Sequence, residues 1–388
     1  MTLPASPSAG DIVSFKDYAN TFDTNNLTIA RNGSPIAGET ADPIISVEGQ
    51  SGTLIYVDGT KGWMIVNAST DADLPAPRYV AATGGTVTCC GDYKIHTFTG
   101  PGTFTVTCAG NPSGSTTVDY LVAAGGGGGG GGYQSGGGGA GGLRASDGTA
   151  SGCYSAGPSP LVGCVSALPV TAQGYPITVG GGGPGGAAAS PACSGNRGTN
   201  GNNSIFSTIT SAGGGSGGAF TCGISSPVQV GGPGGSGGGS GRVSSGTYPG
   251  GTGNTPPVSP PQGQNGGRTT TPYTAPYNGG GGGGAIGGGG PGEGACFGVG
   301  GVGAASSITG SAINFSGGGG SGGGGPTSTG SPCGTGGDGA SAPGNQVAQA
   351  GTTNRGGGGG GGQVAGGIPT SAGGNGGSGI VIIRYKFQ

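Results

Sequence analysis

The chain has 388 residues, of which 109 are glycine, 12 basic and 14 acidic, with a formal net charge of −2. So much glycine with so little charge is neither an ordinary globular composition nor that of charge-driven disorder. The near-neutral balance argues against nucleic acid or an anionic membrane surface as the main partner.

No apolar run approaches the roughly 18 residues of a membrane span, and the start, MTLPASPSAGD, lacks the basic and apolar parts of a secretory signal. Residues 1–100 hold only 11 of the glycines, so the composition shifts near residues 80–115. The first part reads as ordinary β sequence. DIVSFKDY, NLTIARNG, PIISVEG, GTLIYVD and GWMIVNA each alternate β-branched or aromatic residues with polar ones, separated by Gly, Asn, Asp and Pro. VDGTKGW (57–63) reads as a short hairpin, with Trp63 in the core. We expect a small antiparallel β domain over 1–70, a Pro-containing linker over 71–85 and a short β segment over 86–118. A glycine-rich region follows over 119–388. No amphipathic helix pattern occurs anywhere.

In the glycine region, short apolar segments lead directly into glycine runs: YLVAAGGGG (120–128), YPITVGGGG (175–183), STITSAGGGSGG (207–218) and AINFSGGGGSGG (312–323). Further runs lie at 279–284, 287–290 and 356–362. A flexible linker has no reason to place Ile, Val, Phe and Tyr at the mouths of its runs. Collagen needs glycine at every third position throughout, and GGGGPGGAAASPAC (180–193) breaks that rule. The arrangement that remains is a bundle of polyglycine helices in the polyproline II conformation, which has about three residues per turn and a rise of about 3.1 Å. Such helices have no internal hydrogen bonds, so every N–H and C=O points outward. Without side chains, neighbouring backbones can approach until those groups bond to one another, satisfying the requirement that buried backbone groups be paired. The fold class expected is therefore mostly β and irregular: a β domain, then a bundle of such rods closed by short strands, without α-helix. GIVIIRYKF (379–387) has two readings: it pairs with DYLVAA in one small sheet and clamps the bundle's first and last elements, or it is a terminal strand that pairs with another subunit.

Several of these segments carry a resemblance. HTFTGPGTFTVT followed by VDYLVAAGGGGGGGG, then YPITVGGGG, GNNSIFSTITSAGGG and the ending GGSGIVIIRY, resemble the glycine-rich domain of bacteriophage tail fibres and adhesins. LPASPSAGDIVSFKDYA, NNLTIARNGSPI and YVDGTKGW resemble a small β module of the same fibres. The resemblance implies a sandwich of polyproline II helices whose tip loops contact a bacterial surface receptor, a glycan or an outer-membrane protein. It also implies homo-oligomers or other tail-fibre proteins as partners, and a virion or extracellular location. This sequence departs from the group in starting its β module directly after Met1 and in having nine cysteines. Both leave room for a filament subunit assembled from the same rods. An ice-binding protein is a third reading, disfavoured by the long irregular loops.

None of the cysteines forms a C-x-x-C pair and only one histidine is present, so no zinc site is expected. Disulfides in an extracellular setting are expected instead, on nearest-neighbour pairing: Cys153–Cys164, Cys193–Cys222, Cys296–Cys333, and Cys108 with Cys89 or Cys90. No cofactor site is read. His96 sits in a β pattern, and the acidic residues Asp119, Asp147, Glu293 and Asp338 are too scattered for a paired-carboxylate site, so a non-enzymatic protein is expected. Binding is placed on the long segment 242–280, which brings Arg242, Tyr248, Arg268, Tyr273 and Tyr277 among prolines, since Tyr and Arg are enriched at binding hot spots. Segments 143–174, 187–204, 220–230, 291–305 and 326–355 are further candidate loops.

Overall fold

The computed structural model describes residues 1–67, 77–152, 154–158, 161, 165–188, 195–221, 227–242, 245–270, 278–293, 297–324, 329–341, 346–363 and 372–388. The chain is mostly β and irregular, and the described residues contain no α-helix.

Five strands form where the alternating pattern places them: β1 (Ile12–Lys16), β2 (Leu27–Thr28), β3 (Ile44–Ile45), β4 (Ser51–Asp58) and β5 (Gly62–Ile65). β1, β4 and β5 make one antiparallel sheet, and β2 pairs with β3. The hairpin closes with Asp58 opposite Gly62. The Asp58 carboxylate accepts the Thr60 and Lys61 amides, the local turn chemistry expected of Asp. Alternation turns Leu54 and Trp63 inward onto Leu3, Ile29, Ile36 and Ile45, a core of their own.

Two further sheets lie against each other at the mouth of the glycine region. One holds β7 (Thr86–Cys90), β8 (Tyr93–Phe98), β20 (Ile380–Lys386), β10 (Thr117–Ala123), β11 (Leu143–Ala145) and β12 (Leu168–Pro169). The other holds β6 (Val80–Thr83), β9 (Gly102–Ala109), β13 (Gly174–Thr178), β14 (Ser204–Phe206) and β15 (Ile209–Ser211). β10 and β20 pair antiparallel from Asp119–Arg384 to Ala123–Ile380, the first of the two readings of GIVIIRYKF. Both strands are buried on both faces, which is why they read as continuous apolar runs rather than alternations. Tyr120, Val122, Val381, Ile383 and Tyr385 face the second sheet with Phe104 and Phe206. Leu121, Ala123, Ile380 and Ile382 face the opposite way, onto Leu143, Ile308 and Phe315.

Polar groups are admitted to this core with partners. Asp119 accepts bonds from Ser146 Oγ and from Ser151 N and Oγ. Arg384 lies between the rings of Tyr93 and Tyr154, 4.5 and 5.1 Å from their centroids. His96 on β8 is fully buried. Its Nδ1–H donates to the Gly84 carbonyl (2.7 Å), and its Nε2 accepts from the Tyr385 hydroxyl (3.0 Å). That hydroxyl in turn accepts from the Ala82 amide at 3.2 Å, tying β20 to the second sheet.

Burial, more than Lys94 nearby, lowers the His96 pKa, while the Gly84 carbonyl opposes the shift. The unfolded chain, with histidine near 6.5, then takes up the proton first. Stability is full above about pH 6.5 and falls as pH drops through it, by at most about 1.4 kcal/mol per unit. Melting temperature should therefore decline from pH 7.5 to pH 5, and His96→Gln should flatten that decline. A wild-type melting temperature independent of pH over this range would contradict the assignment.

Beyond Ala123 the chain becomes a lattice. The amides of rod 125–131 bond in strict rotation to three neighbours. Gly125, Gly128 and Gly131 donate to Asn202, Thr199 and Asn196; Gly126 and Gly129 to Gly377 and Gly374; Gly127 and Gly130 to Gly139 and Gly136. The carbonyls repeat the rotation, accepting from Gly183 and Gly186, from Gly214 and Gly217, and from Gly359 and Gly362. A period of three is the turn of a polyproline II helix, and three donor faces plus three acceptor faces give this rod six neighbours. Rod 135–142 is likewise surrounded, by 125–131, 212–219, 235–241, 279–284, 316–322 and 356–362. The reason for glycine is steric. A Cβ on Gly126, Gly127 or Gly129 would stand 2.0–2.1 Å from a carbonyl oxygen of the next rod.

The lattice is larger than its glycine runs suggest. Segment 195–203 (GNRGTNGNN) is a rod at the edge, with Gly195, Gly198 and Gly201 turned towards the backbone of 125–131. Outward positions Asn196, Thr199 and Asn202 are exposed. Glycine is needed only on faces that meet another backbone, so an edge rod carries it at every third residue. Segments 250–253 and 262–267 are rods too, bonded to each other and to 235–241. The reading of 242–280 as one long loop is therefore corrected, and with it the loop reading of 187–204, 291–305 and 326–355, which contain rods 195–203, 298–303, 335–341 and 346–352. At the edges, asparagine replaces the missing rod. Asn200, Asn203, Asn265 and Asn375 present Oδ1 to the amides of Ser216, Gly213, Gly253 and Gly185 at 2.8–2.9 Å.

The expected pairing of Cys108 with Cys89 or Cys90 is not made. Cys89, Cys90, Cys108 and Cys333 are free thiols. Cys89 and Cys90 lie on β7, the edge of one sheet, while Cys108 lies opposite Ala81 in the other. Cys333 contacts Ser331 and Thr335 hydroxyls and is not joined to Cys296. Cys153, Cys164, Cys193, Cys222 and Cys296 lie outside the described residues.

Candidate functional site

The register of the rods fixes which connections share an end. Rods 125–131, 180–188, 212–219 and 356–363 run parallel, away from the sheets, and 135–142, 195–203 and 372–379 run back. The same antiparallel relations carry through 235–241, 262–267, 287–292, 316–322 and 335–341, which all run away from the sheets. The described rod ends at Phe220, Arg242, Thr270, Glu293, Gly323, Ser341 and Gln363 therefore lie at the end of the lattice remote from β10 and β20.

At this distal end Arg242 is half-buried, not free. Its guanidinium lies 5.4 Å from the Tyr133 ring centroid and 5.0 Å from that of Phe220, and Nη1 donates to Gln134 Oε1 at 2.9 Å. The Gln134 amide donates to Gln363 Oε1, 2.8 Å away. This cluster closes the distal mouth of the central rods, so Arg242, expected as a contact residue, serves as a clamp.

Arg268 is different. It stands at the distal tip of rod 262–267 with 61% of its side chain exposed, and its Nε donates to Glu293 Oε1 at 2.7 Å. The Thr270 hydroxyl donates to the same oxygen at 2.7 Å. These bonds, Thr270's first and Arg268's second, lower the Glu293 carboxyl below its ordinary range. Beside them lies an open groove of about 420 Å³, lined by Thr247, Pro249, Gly250, Asn265, Gly266, Gly267, Arg268, Gly289 and Pro291. Its floor is bare rod backbone, and its rim comes from three rod tips. Tyr248 lies beside it on β16 (Thr247–Tyr248), which pairs with β17 (Thr269–Thr270). Tyr273 and Tyr277 fall outside the described residues.

The structure thus brings Arg268 and Tyr248 to one place and assigns Arg242 elsewhere. It adds Glu293, Asn265 and the two prolines. Glu293 was visible in the sequence as one of few acids in the glycine region, but only the fold brings it to Arg268. Among the described residues no three His, Cys, Asp or Glu side chains are grouped as metal ligands. No helix of the described residues is long and apolar enough to cross a membrane.

A polyproline II lattice of mutually bonded glycine backbones, closed at one end by β-sheets, defines the class of protein. The glycine-rich domain family profile matches residues 98–386, and the chain belongs to this family. Comparison with curated proteins gave no match.

Proposed function

We propose that the protein is a non-enzymatic bacteriophage tail-fibre protein or distal adhesin, located on the virion, that recognises a bacterial surface receptor with its distal end. The observation that carries this reading is the segregation of the chain. Its rods form a scaffold that side chains scarcely enter, and the described side chains of Tyr133, Phe220, Arg242 and Arg268, with the groove beside Arg268, lie at the end remote from the sheets. Loops on a rigid scaffold are where recognition is usually placed. The filament alternative needs rods of one chain to bond to rods of the next. The asparagines at the lattice edge weigh against it, because Asn200, Asn203, Asn265 and Asn375 already occupy amides that such pairing would use.

The test is adsorption of the full chain to bacteria from its habitat, wild type against the combined variant Arg268→Ala, Tyr273→Ser, Tyr277→Ser. We expect at least a ten-fold loss of adsorption, the size of effect that removing hot-spot side chains produces, with an unchanged melting curve. Unchanged adsorption would refute distal recognition through these residues, and concentration-dependent fibres under the electron microscope would favour the filament.

A further inference from the structure

Resting on the adhesin reading, we propose that the groove beside Arg268 is a carbohydrate site taking one or two pyranose rings of an uncharged surface glycan. The groove's size, about 420 Å³, lies in the range of small-molecule sites. The chemistry of its floor bears on the ligand. Among the described residues, the carbonyls of Gly250, Gly266 and Gly289 accept no hydrogen bond, although each belongs to a rod whose inner groups are bonded. They form a set of acceptors held rigidly by the lattice. A ligand that fits them must offer several donors from one rigid frame, and a sugar ring with its hydroxyls does so. An extended peptide offers one amide every second residue on a given side.

The rim supports the same ligand. Pro249 and Pro291 give flat C–H surfaces for the apolar face of a pyranose, and the Thr247 hydroxyl adds a polar contact on the exposed edge. Arg268 supplies donors. Its Nε is engaged by Glu293, and among the described residues both Nη nitrogens remain without protein partners. The guanidinium is thereby pre-oriented, which lowers the entropic cost of binding. The pairing also decides charge. Arg268 and Glu293 neutralise one another, so the groove has no surplus cation to select an acidic sugar. A protein receptor is the weaker match. Protein interfaces centre on large apolar and aromatic anchors, and among the described residues no large apolar side chain lines this groove.

The experiment uses the full chain on an array of immobilised bacterial O-polysaccharides and capsular polysaccharides, alongside cell adsorption. The variants are Arg268→Ala, which removes the donor, and Thr247→Trp, which fills the mouth from an exposed position. Binding of the wild type to at least one uncharged polysaccharide is expected, weakened about ten-fold or more by each variant, as loss of a charged hydrogen bond implies, at unchanged melting temperature. Polysaccharide binding that both variants retain would overturn the groove as its site. Adsorption to cells that survives periodate oxidation of their glycans but not proteinase K treatment would overturn the carbohydrate assignment while leaving the adhesin reading intact. No binding to cells or polysaccharides would overturn both.

Discussion

Gly128→Ala should destabilise the protein by about 3–5 kcal/mol, although alanine suits polyproline II dihedrals as well as glycine does. The new Cβ would lie 2.0 Å from the Pro184 oxygen, 2.4 Å from its carbon and 2.7 Å from Gly185 N. Those are backbone atoms of a rod fixed by its own neighbours, so no rotamer change relieves the overlap. Overpacking of a close-packed interior costs about 1–3 kcal/mol. Separating the two rods also strains the bonds that join them, from Gly183 N to Gly126 O and from Gly186 N to Gly129 O, each contributing about 1 kcal/mol. The melting temperature should fall by roughly 10 °C. Gly181→Ala is the matched control. Its Cβ meets nothing nearer than Asn202 Nδ2 at 3.8 Å, so it should be neutral, or stabilise by about 0.4–1 kcal/mol through the unfolded state. Equal melting temperatures for the two variants would contradict inter-rod packing at Gly128.

Removing β20 should have the largest effect of all. Truncation after Gly379 takes away Ile380, Val381, Ile382, Ile383 and Tyr385, each at most 5% exposed. At about 1.5–3 kcal/mol for each buried side chain, the loss is of order 10 kcal/mol, comparable to the entire stability of a typical domain. The strand also lies between β10 and β8, so its removal leaves two unpaired edges in the middle of a sheet. The truncated chain should fail to fold cooperatively, by circular dichroism and thermal melting, and a synthetic peptide of residues 379–388 should restore folding in trans. A cooperative melt near the wild-type temperature without the peptide would show that the sheet does not close the lattice.

Much of this architecture was legible because it rests on local patterns. The five N-terminal strands follow alternation, and the pairing of YLVAA with GIVIIRY follows from two apolar runs flanking all the glycine. The long runs announce interior rods, since only a rod met by backbones on every face needs glycine at every position. The edge rods were missed for the same reason inverted. In GNRGTNGNN or GTGNT the glycines are spaced, and Asn, Thr and Arg on the outward faces read as loop. A three-residue period in glycine alone, rather than runs, is the signal that would have found 195–203. The asparagine caps were invisible, because an Oδ1 that stands in for a rod has no sequence pattern distinct from a turn asparagine. The disulfide expectation for Cys108 failed because proximity in sequence was taken for proximity in space, whereas β7 and β9 belong to different sheets. At the candidate site, Arg268 and Tyr248 were chosen on residue type, but Glu293 reaches Arg268 only through the packing of rods 25 residues apart.

The most direct measurement of the central claim is native-state amide hydrogen exchange across residues 125–142. Every amide from Gly125 to Gly131 and from Gly136 to Gly142 is bonded to another rod at 2.8–3.0 Å. These amides should therefore be among the slowest in the molecule, exchanging only with global unfolding, and Gly128→Ala should accelerate them together. Exchange of these glycine amides at the rate of an unstructured peptide, with β10 and β20 still protected, would contradict the lattice.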